Sequence, residues 1–400
     1  MLDPEVNSSS KGSAISVWIL LILLIKPWYS IGLYHYEIPG PKFRGKKKDK
    51  EIVQTATFQD EWQKHLVNYR GESMIEEILA NLYKIEIPLP KSPLKALNSY
   101  VIKNAERNLI IDTGWNQKEC MNAMQAGLTE LGVDIRKTDF FITHLHADHF
   151  GLVSNLMTDS SKIYFNQPDA DHFRSGFQLD NFVNFARLNG YPENELQKAL
   201  QAHPGLKFRA RADLAFCILQ EGNTLNIGDY VFKCIQTPGH TWGHMCLYEP
   251  DKKIFVSGDH ILNDITPNIL LWSDEWNPLK EYLASLDKVY QLDIELVLPG
   301  HRSIFKNCRE RIQELKHHHQ DRLDEIISIL EKGSKNAFQV TSKMSWDIIS
   351  DSWDLFPVSQ KWFATGEAMA HLKYLKEKGI IRSEIRKQKI VFSLNRNHAI

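Results

Sequence analysis

From Tyr83 onward, short apolar runs alternate with turns rich in glycine, proline and asparagine, a pattern of strands and modest helices. Tyr83 to Leu89 alternates apolar and polar positions and reads as an edge strand, with a proline at its end where no ladder donor is needed. Leu97 to Ile102 and Asn108 to Asp112 read as strands joined at Lys103-Asn104-Ala105. Gln117 to Gly132 is amphipathic, with Met121, Met124, Leu128 and Leu131 on one face, and Gly132 ends it. Phe140 to Thr143 reads as a buried strand, and so do Tyr230 to Ile235, Lys253 to Val256 and Ile294 to Leu298. Helices are expected over Leu279 to Leu292 and Cys308 to Lys332, and one or two over 166–212, where Phe173, Phe177, Phe182, Phe185, Leu188 and Tyr191 recur. Upstream, Phe58 to Glu72 and Met74 to Asn81 read as helical. Downstream, Ser345 to Ser350 and Gly366 to Lys378 read as helices, followed by strands at Ile380 to Arg382 and Lys389 to Ser393.

The N-terminal pattern differs. Ala14 to Ile25 is almost wholly apolar, but a bilayer takes roughly 20 residues, and Lys26-Pro27 interrupts the run. A basic stretch follows, including Lys42, Arg44 and Lys46 to Lys48. A membrane-associated segment over 14–34, a signal peptide and an extension outside the fold all fit. The pattern divides the chain into an N-terminal segment, 1–50, disordered or membrane-associated; a catalytic domain, 51–332; and a small C-terminal domain, 333–400.

Composition narrows the function. The 400 residues are 43% hydrophobic, enough for a sizeable core, and the net charge of −1 gives no basic field favouring nucleic acid. Five scattered cysteines lack a CxxC pair, which points to reduced thiols and a cytoplasmic setting. Cys246 reads as a core residue.

The chemistry concentrates in His144-Leu145-His146-Ala147-Asp148-His149. Histidine and aspartate are poor core residues, so four of them within six positions at the end of a buried strand point to a metal site. His144 and His146 project the same way from extended chain and can grip one ion, while Asp148 and His149 can reach a second. Three further apolar runs end in glycine turns that deliver a His or Asp: Thr237-Pro238-Gly239-His240, Ser257-Gly258-Asp259-His260 and Pro299-Gly300-His301.

These motifs, together with Leu109-Ile110-Ile111-Asp112-Thr113-Gly114, resemble the metallo-β-lactamase superfamily over about residues 85–320. The resemblance implies an α/β fold, an αββα sandwich with the site at one sheet edge. Carried over, it places His144, His146 and His240 on a first metal, and Asp148, His149 and His301 on a second, with Asp259 bridging. Asp112 and His244 would stand behind the ligands; for Asp112 a plain turn cap is an equal reading. Two Zn²⁺ are the expected cofactor, with Fe or Mn open. Such a pair, about 3.5–4 Å apart, lowers the pKa of a shared water toward about 7. The hydroxide would attack an ester, thioester or related carbonyl, with Asp148 as the catalytic residue that orients it and returns a proton. The tail from Gly366 to Ile381 resembles the winged-helix tail of the β-lactamase-like protein 2 type subgroup.

Substrate is open within this reading. The segment after Asp259 lacks the basic, glycine-rich stretch of glyoxalase II, and Leu262 stands where acyl-homoserine-lactone lactonases place a tyrosine. A small-molecule substrate is expected. A phosphodiesterase or ribonuclease acting on single-stranded RNA is the alternative, and a metal-binding nucleic-acid regulator a third. Nucleic-acid contact would use Lys373, Lys376, Lys378, Arg382, Arg386, Lys387 and Lys389, but nearby glutamates dilute that patch. His317-His318-His319 lies in a predicted helix, where consecutive side chains diverge and cannot share an ion. Arg209 and Arg211 read as surface, and the orientation of His260 is open.

Overall fold

A computed structural model describes residues 74–395 except 177–178, 212, 272, 348–349 and 351. The described residues all fall in one compact unit. The apolar run over 14–34 and the helix expected at 58–72 lie outside the described residues. Among the described residues, no helix is long and apolar enough to cross a membrane.

Fourteen strands form among the described residues: β1 (Ile75–Leu79), β2 (Leu82–Pro88), β3 (Ala96–Ile102), β4 (Asn108–Ile111), β5 (Thr138–Phe141), β6 (Ile163–Asn166), β7 (Cys217–Leu219), β8 (Thr224–Ile227), β9 (Tyr230–Gln236), β10 (Met245–Glu249), β11 (Ile254–Gly258), β12 (Leu296–Pro299), β13 (Ile381–Arg386) and β14 (Lys389–Leu394). The helices are α1 (Lys118–Glu130), α2 (Ala147–Phe150), α3 (Val153–Leu156), α4 (Gln167–Ser175), α5 (Leu179–Leu188), α6 (Glu193–Ala202), α7 (Pro204–Lys207), α8 (Pro278–Tyr290), α9 (Cys308–Glu331), α10 (Ala337–Thr341) and α11 (Val358–Glu377).

Strands β1 to β7 form one sheet in sequence order, and β12-β11-β10-β9-β8 form the second. Strand alternation makes each sheet two-faced. Leu109 and Ile111 of β4 join a core with Phe232, Leu247, Val256 and Leu298 of the second sheet. Ile110, between them, faces the other way and packs with Met124 and Leu128 of α1. In the same manner Leu247 faces the inter-sheet core while Cys246 and Tyr248 pack outward against α8 and α9. The architecture is therefore mixed α/β, two sheets face to face with helices outside, the sandwich that the resemblance implies. Cys246 is buried, consistent with a core role.

Four expectations need correction. Met74 to Asn81 is strand β1, not helix; a register shift between Glu77 and Leu79 breaks the two-residue period and makes the pattern look helical. Strand β2 is not an edge, because β1 pairs along it. Residues 345–347 and 350 are not helical. The helix expected from Gly366 starts earlier, at Val358. It is buried on most sides, so its apolar residues trace no single stripe. The C-terminal strands pair as a hairpin through Arg386 and Lys389, and α11 packs on α9 in the same core as the outer face of the second sheet.

Candidate metal centre

The cluster sits where strands end. β5, β11 and β12 are followed directly by the loops carrying His144, Asp259 and His301, and β9 by the loop carrying His240. The β4–β5 and β11–β12 pairings are parallel, so these loops emerge at the carboxyl ends of strands. His146 precedes the single turn of α2, which presents Asp148 and His149.

All seven residues expected to bind metal converge. Three groups have ligand atoms within 4.8 Å of one another: His144, His146 and His240; His144, His149 and Asp259; and Asp148, His149 and His301. In the first, Nδ1 of His146 lies 3.0 Å from Nε2 of His144 and 2.9 Å from Nε2 of His240. Asp259 lies between the groups, with Oδ1 3.4 Å from His149 Nε2 and Oδ2 3.7 Å from His240 Nε2 and 3.5 Å from His301 Nε2. Oδ2 of Asp148 is 3.4 Å from His301 Nε2.

The ring orientations decide whether a cation fits. His149 Nδ1 donates to Asp112 Oδ2 at 2.7 Å, His240 Nδ1 to the Asn268 carbonyl at 2.7 Å, and His301 Nδ1 to the Ala96 carbonyl at 2.7 Å. The Thr143 hydroxyl donates to Asp112 Oδ2 at 2.8 Å, so it accepts from His144 Nδ1 at 3.0 Å. Each of these four rings thus carries its proton on the outward nitrogen and aims a lone pair inward. His149 Nε2, His301 Nε2 and Asp259 Oδ1 are buried without a hydrogen-bond partner among the described residues. Buried lone pairs facing one another are costly unless a cation lies between them. The donor set of imidazole and carboxylate suits zinc and related divalent ions.

The electrostatics agree. Burial, reinforced by the neighbouring imidazoles, pushes His144 well below the usual histidine range, and burial brings His146 down to about 3. Burial opposes a charge on His149 and His301 too, but Asp259 and its fellow carboxylates overcome it, raising His149 well above the usual range and His301 to about 9. Burial would raise Asp148, yet the His301 ring beside it and the charge of His149 hold it down at about 2. Asp259 is likewise held well below the carboxylate range, against burial, by His301 and His149. The protein therefore favours positive charge at this point.

Asp112 and His244 stand behind the ring. Asp112 occupies the left-handed region (φ 58°), accepts from the Thr143 amide at 2.9 Å, and so ties the strand end to His149. His244 accepts the Asp259 amide on Nε2 at 3.1 Å and meets Thr237 Oγ1 at 2.8 Å through Nδ1, so it fixes the Asp259 turn. Gly300 has no room for a side chain: a Cβ there would lie 2.6 Å from Asp259 Oδ1. His260 points away, against the Tyr282 ring at 5.3 Å. Arg209 and Arg211 are exposed. Lys373 is ion-paired to Asp274 and Glu377, which depletes the C-terminal basic patch.

Sequence reasoning missed Asp169. This fully buried carboxylate at the start of α4 accepts from the Leu145 amide, the Thr241 hydroxyl and the Gly243 amide, each at 2.9 Å. It clasps the loop of His144 and His146 to the loop of His240. Its signal, Asn166-Gln167-Pro168-Asp169, resembles any helix start, with Asn166 capping the Asp169 amide.

Comparison with known proteins bears on this site. The profile of the metallo-beta-lactamase superfamily matches residues 94–301. A beta-lactamase-like protein 2 homolog of Caenorhabditis elegans is 25% identical over 296 residues, 72% of this chain and 82% of that protein. An acyl-coenzyme A thioesterase of Homo sapiens is 26% identical over 221 residues, 52% of this chain and 74% of the relative. The crystal structure of a metallo-beta-lactamase family protein from Thermus thermophilus superposes with a TM-score of 0.67 at 26% identity, covering 80% of this chain and all of that one.

Proposed function

This chain belongs to the metallo-beta-lactamase superfamily, and from that premise we propose that it is a hydrolase of acyl thioesters, of the acyl-coenzyme A class, working with two divalent cations, zinc by the chemistry of the donors. The observation that carries the reading is the complete inward-facing donor set of His144, His146, Asp148, His149, His240, Asp259 and His301. The thioesterase relative supports the choice among carbonyl substrates.

A divalent cation bound there supplies an activated water and polarises the scissile carbonyl. The chain's own groups do the rest. His149 and His301 are locked by Asp112 and the Ala96 carbonyl, so the donors need no rearrangement when substrate arrives. Asp148 is the more accessible of the two central carboxylates, with its side chain 15% exposed against 9% for Asp259. Kept ionised, it accepts a hydrogen bond from the attacking water and aims its oxygen at the carbonyl carbon. Addition of that oxygen and cleavage of the C–S bond give a carboxylic acid and a thiol. A thiolate leaves readily because thiols ionise near about 8.5, so little protonation of the leaving group is required of Asp148.

The test is a panel of acyl-coenzyme A, a lactone, a phosphodiester and single-stranded RNA, run on metal-loaded protein with thiol release and metal content measured. Release of free coenzyme A, lost on Asp259→Asn, is the expected result. Cleavage of the RNA or phosphodiester without thiol release would refute the reading.

A further inference from the structure

The loop between His240 and His244 leaves one large side chain in solvent. Its polar groups are committed to Asp169 through Thr241 and Gly243, while the Trp242 ring is 41% exposed. That ring rests on Trp276, with centroids 5.0 Å apart. Two indoles side by side, two residues from a donor of the first group, form an apolar shelf beside the reacting centre. Trp276 follows Asp274 and Glu275, both exposed, and Glu377 receives the Asn277 amide at 2.8 Å. Lys373 pairs with Asp274 and Glu377, and Glu275, next to the indole, is in no ion pair among the described residues.

The His301 side is the opposite. His301 is anchored on Ala96, next to exposed Lys95, and Arg302 reaches back to the Pro93 carbonyl at 2.9 Å in the same loop, which also carries exposed Lys91. None of these three cations is in an ion pair among the described residues. Asp259 stands between the two sides, within 3.7 Å of the His240 ring and 3.5 Å of the His301 ring.

We propose that the substrate lies across the centre in one direction: its hydrocarbon acyl chain on Trp242 and Trp276, its anionic carrier toward Lys91, Lys95 and Arg302. The site is then selective for long-chain acyl thioesters of a negatively charged carrier, an assignment that rests on the thioesterase reading above. The acids around Trp276 repel a phosphate-bearing carrier from the indole side, within the Debye length of about 8 Å, whereas an uncharged chain meets no such barrier. Indoles give a chain a large apolar contact at little cost in side-chain ordering.

The test compares acetyl and hexadecanoyl thioesters of coenzyme A with the same acyl groups on uncharged N-acetylcysteamine. Trp242→Ala should lower the hexadecanoyl-to-acetyl ratio of kcat/KM about tenfold or more, with Trp276→Leu as a second variant moving it the same way. Lys91→Glu with Lys95→Glu should lower the preference for coenzyme A over N-acetylcysteamine about five- to tenfold, less at high salt. Calorimetric binding of uncleavable S-hexadecyl-coenzyme A should weaken in both cases. If wild type releases thiol but neither ratio moves in these variants, the orientation is wrong. If wild type releases no thiol from any thioester, the thioesterase reading itself has failed.

Discussion

Two histidine clusters lie back to back in this protein, joined at the Asp259-His260 peptide, and they behave oppositely. In the first, seven donors surround a point where Asp259 and Asp148 reach between the rings, and the field raises His149 and His301. In the second, His260, His319 and His371 line up around Tyr282, with ring centroids 5.2–5.3 Å apart from one neighbour to the next. No carboxylate among the described residues enters that line. His371 donates from Nδ1 to the Glu367 carbonyl at 2.8 Å and meets His319 Nδ1 with its other nitrogen at 3.1 Å. Burial leads the fall of His260 to about 3 and of His371 to about 4. Density of histidine therefore does not make a cation site; carboxylates placed between inward lone pairs do.

The sharpest way to break the contrast is to take the carboxylate out. Asp259→Ala should reduce hydrolysis by on the order of 10⁴-fold and lower bound metal, measured by elemental analysis. His319→Leu, in the other cluster, should retain its metal. Equal metal loss in both variants would erase the distinction.

Next comes the support behind the ring. Asp112→Ala removes the acceptor that holds His149 and Thr143. Metal affinity should fall about 10- to 100-fold, read by competition with a chelating dye. Unchanged affinity would reduce Asp112 to a turn cap.

Asp169 tests whether the loops are clasped rather than merely adjacent. Asp169→Asn puts an amide NH₂ where a carboxylate oxygen now accepts, so one donor among Leu145, Thr241 and Gly243 loses its partner. Charge-assisted bonds of this kind are worth about 1.5–3 kcal/mol, and urea unfolding should show a loss of about 3 kcal/mol. A stability equal to wild type would show that the loops hold without it.

These residues also mark what was legible in the sequence. The donors were, because all lie just after short apolar strands, four of them crowded within six residues and His240, Asp259 and His301 delivered by glycine turns, both local patterns. Seven strands of the sandwich, β2 to β5, β9, β11 and β12, were legible as short apolar runs; β6, β7, β8 and β10, of three to five residues each, were not, nor was β1, where a bulge between Glu77 and Leu79 disturbs the two-residue alternation. Asp169 was not, because its partners lie 24 to 74 positions away and its local context is an ordinary helix cap. The first two turns of α11 were hidden for a different reason: a helix buried all round carries no amphipathic stripe. The Trp242–Trp276 shelf joins two loops whose meeting no local pattern announces.

The smallest effect separates the clusters by pH. Burial lowers His371 first, the Arg322 guanidinium second, while the Glu367 carbonyl opposes them. His319 is lowered by burial and then by His371, His318 and Arg322. A histidine whose pKa is lower in the folded than in the unfolded chain binds its proton first in the unfolded chain as the solution acidifies. Its contribution is thus intact above about 6.5 and is lost as pH falls toward about 4. Between about pH 7 and pH 5 the loss from one such group is about 2 kcal/mol. His371→Leu cannot take up that proton, so its urea-unfolding stability should fall by about 2 kcal/mol less than wild type over the same interval. A parallel fall in both proteins would mean that His371 stays neutral in the unfolded chain as well, or is charged when folded. Either would remove the contrast between a pocket built for positive charge and one built to exclude it.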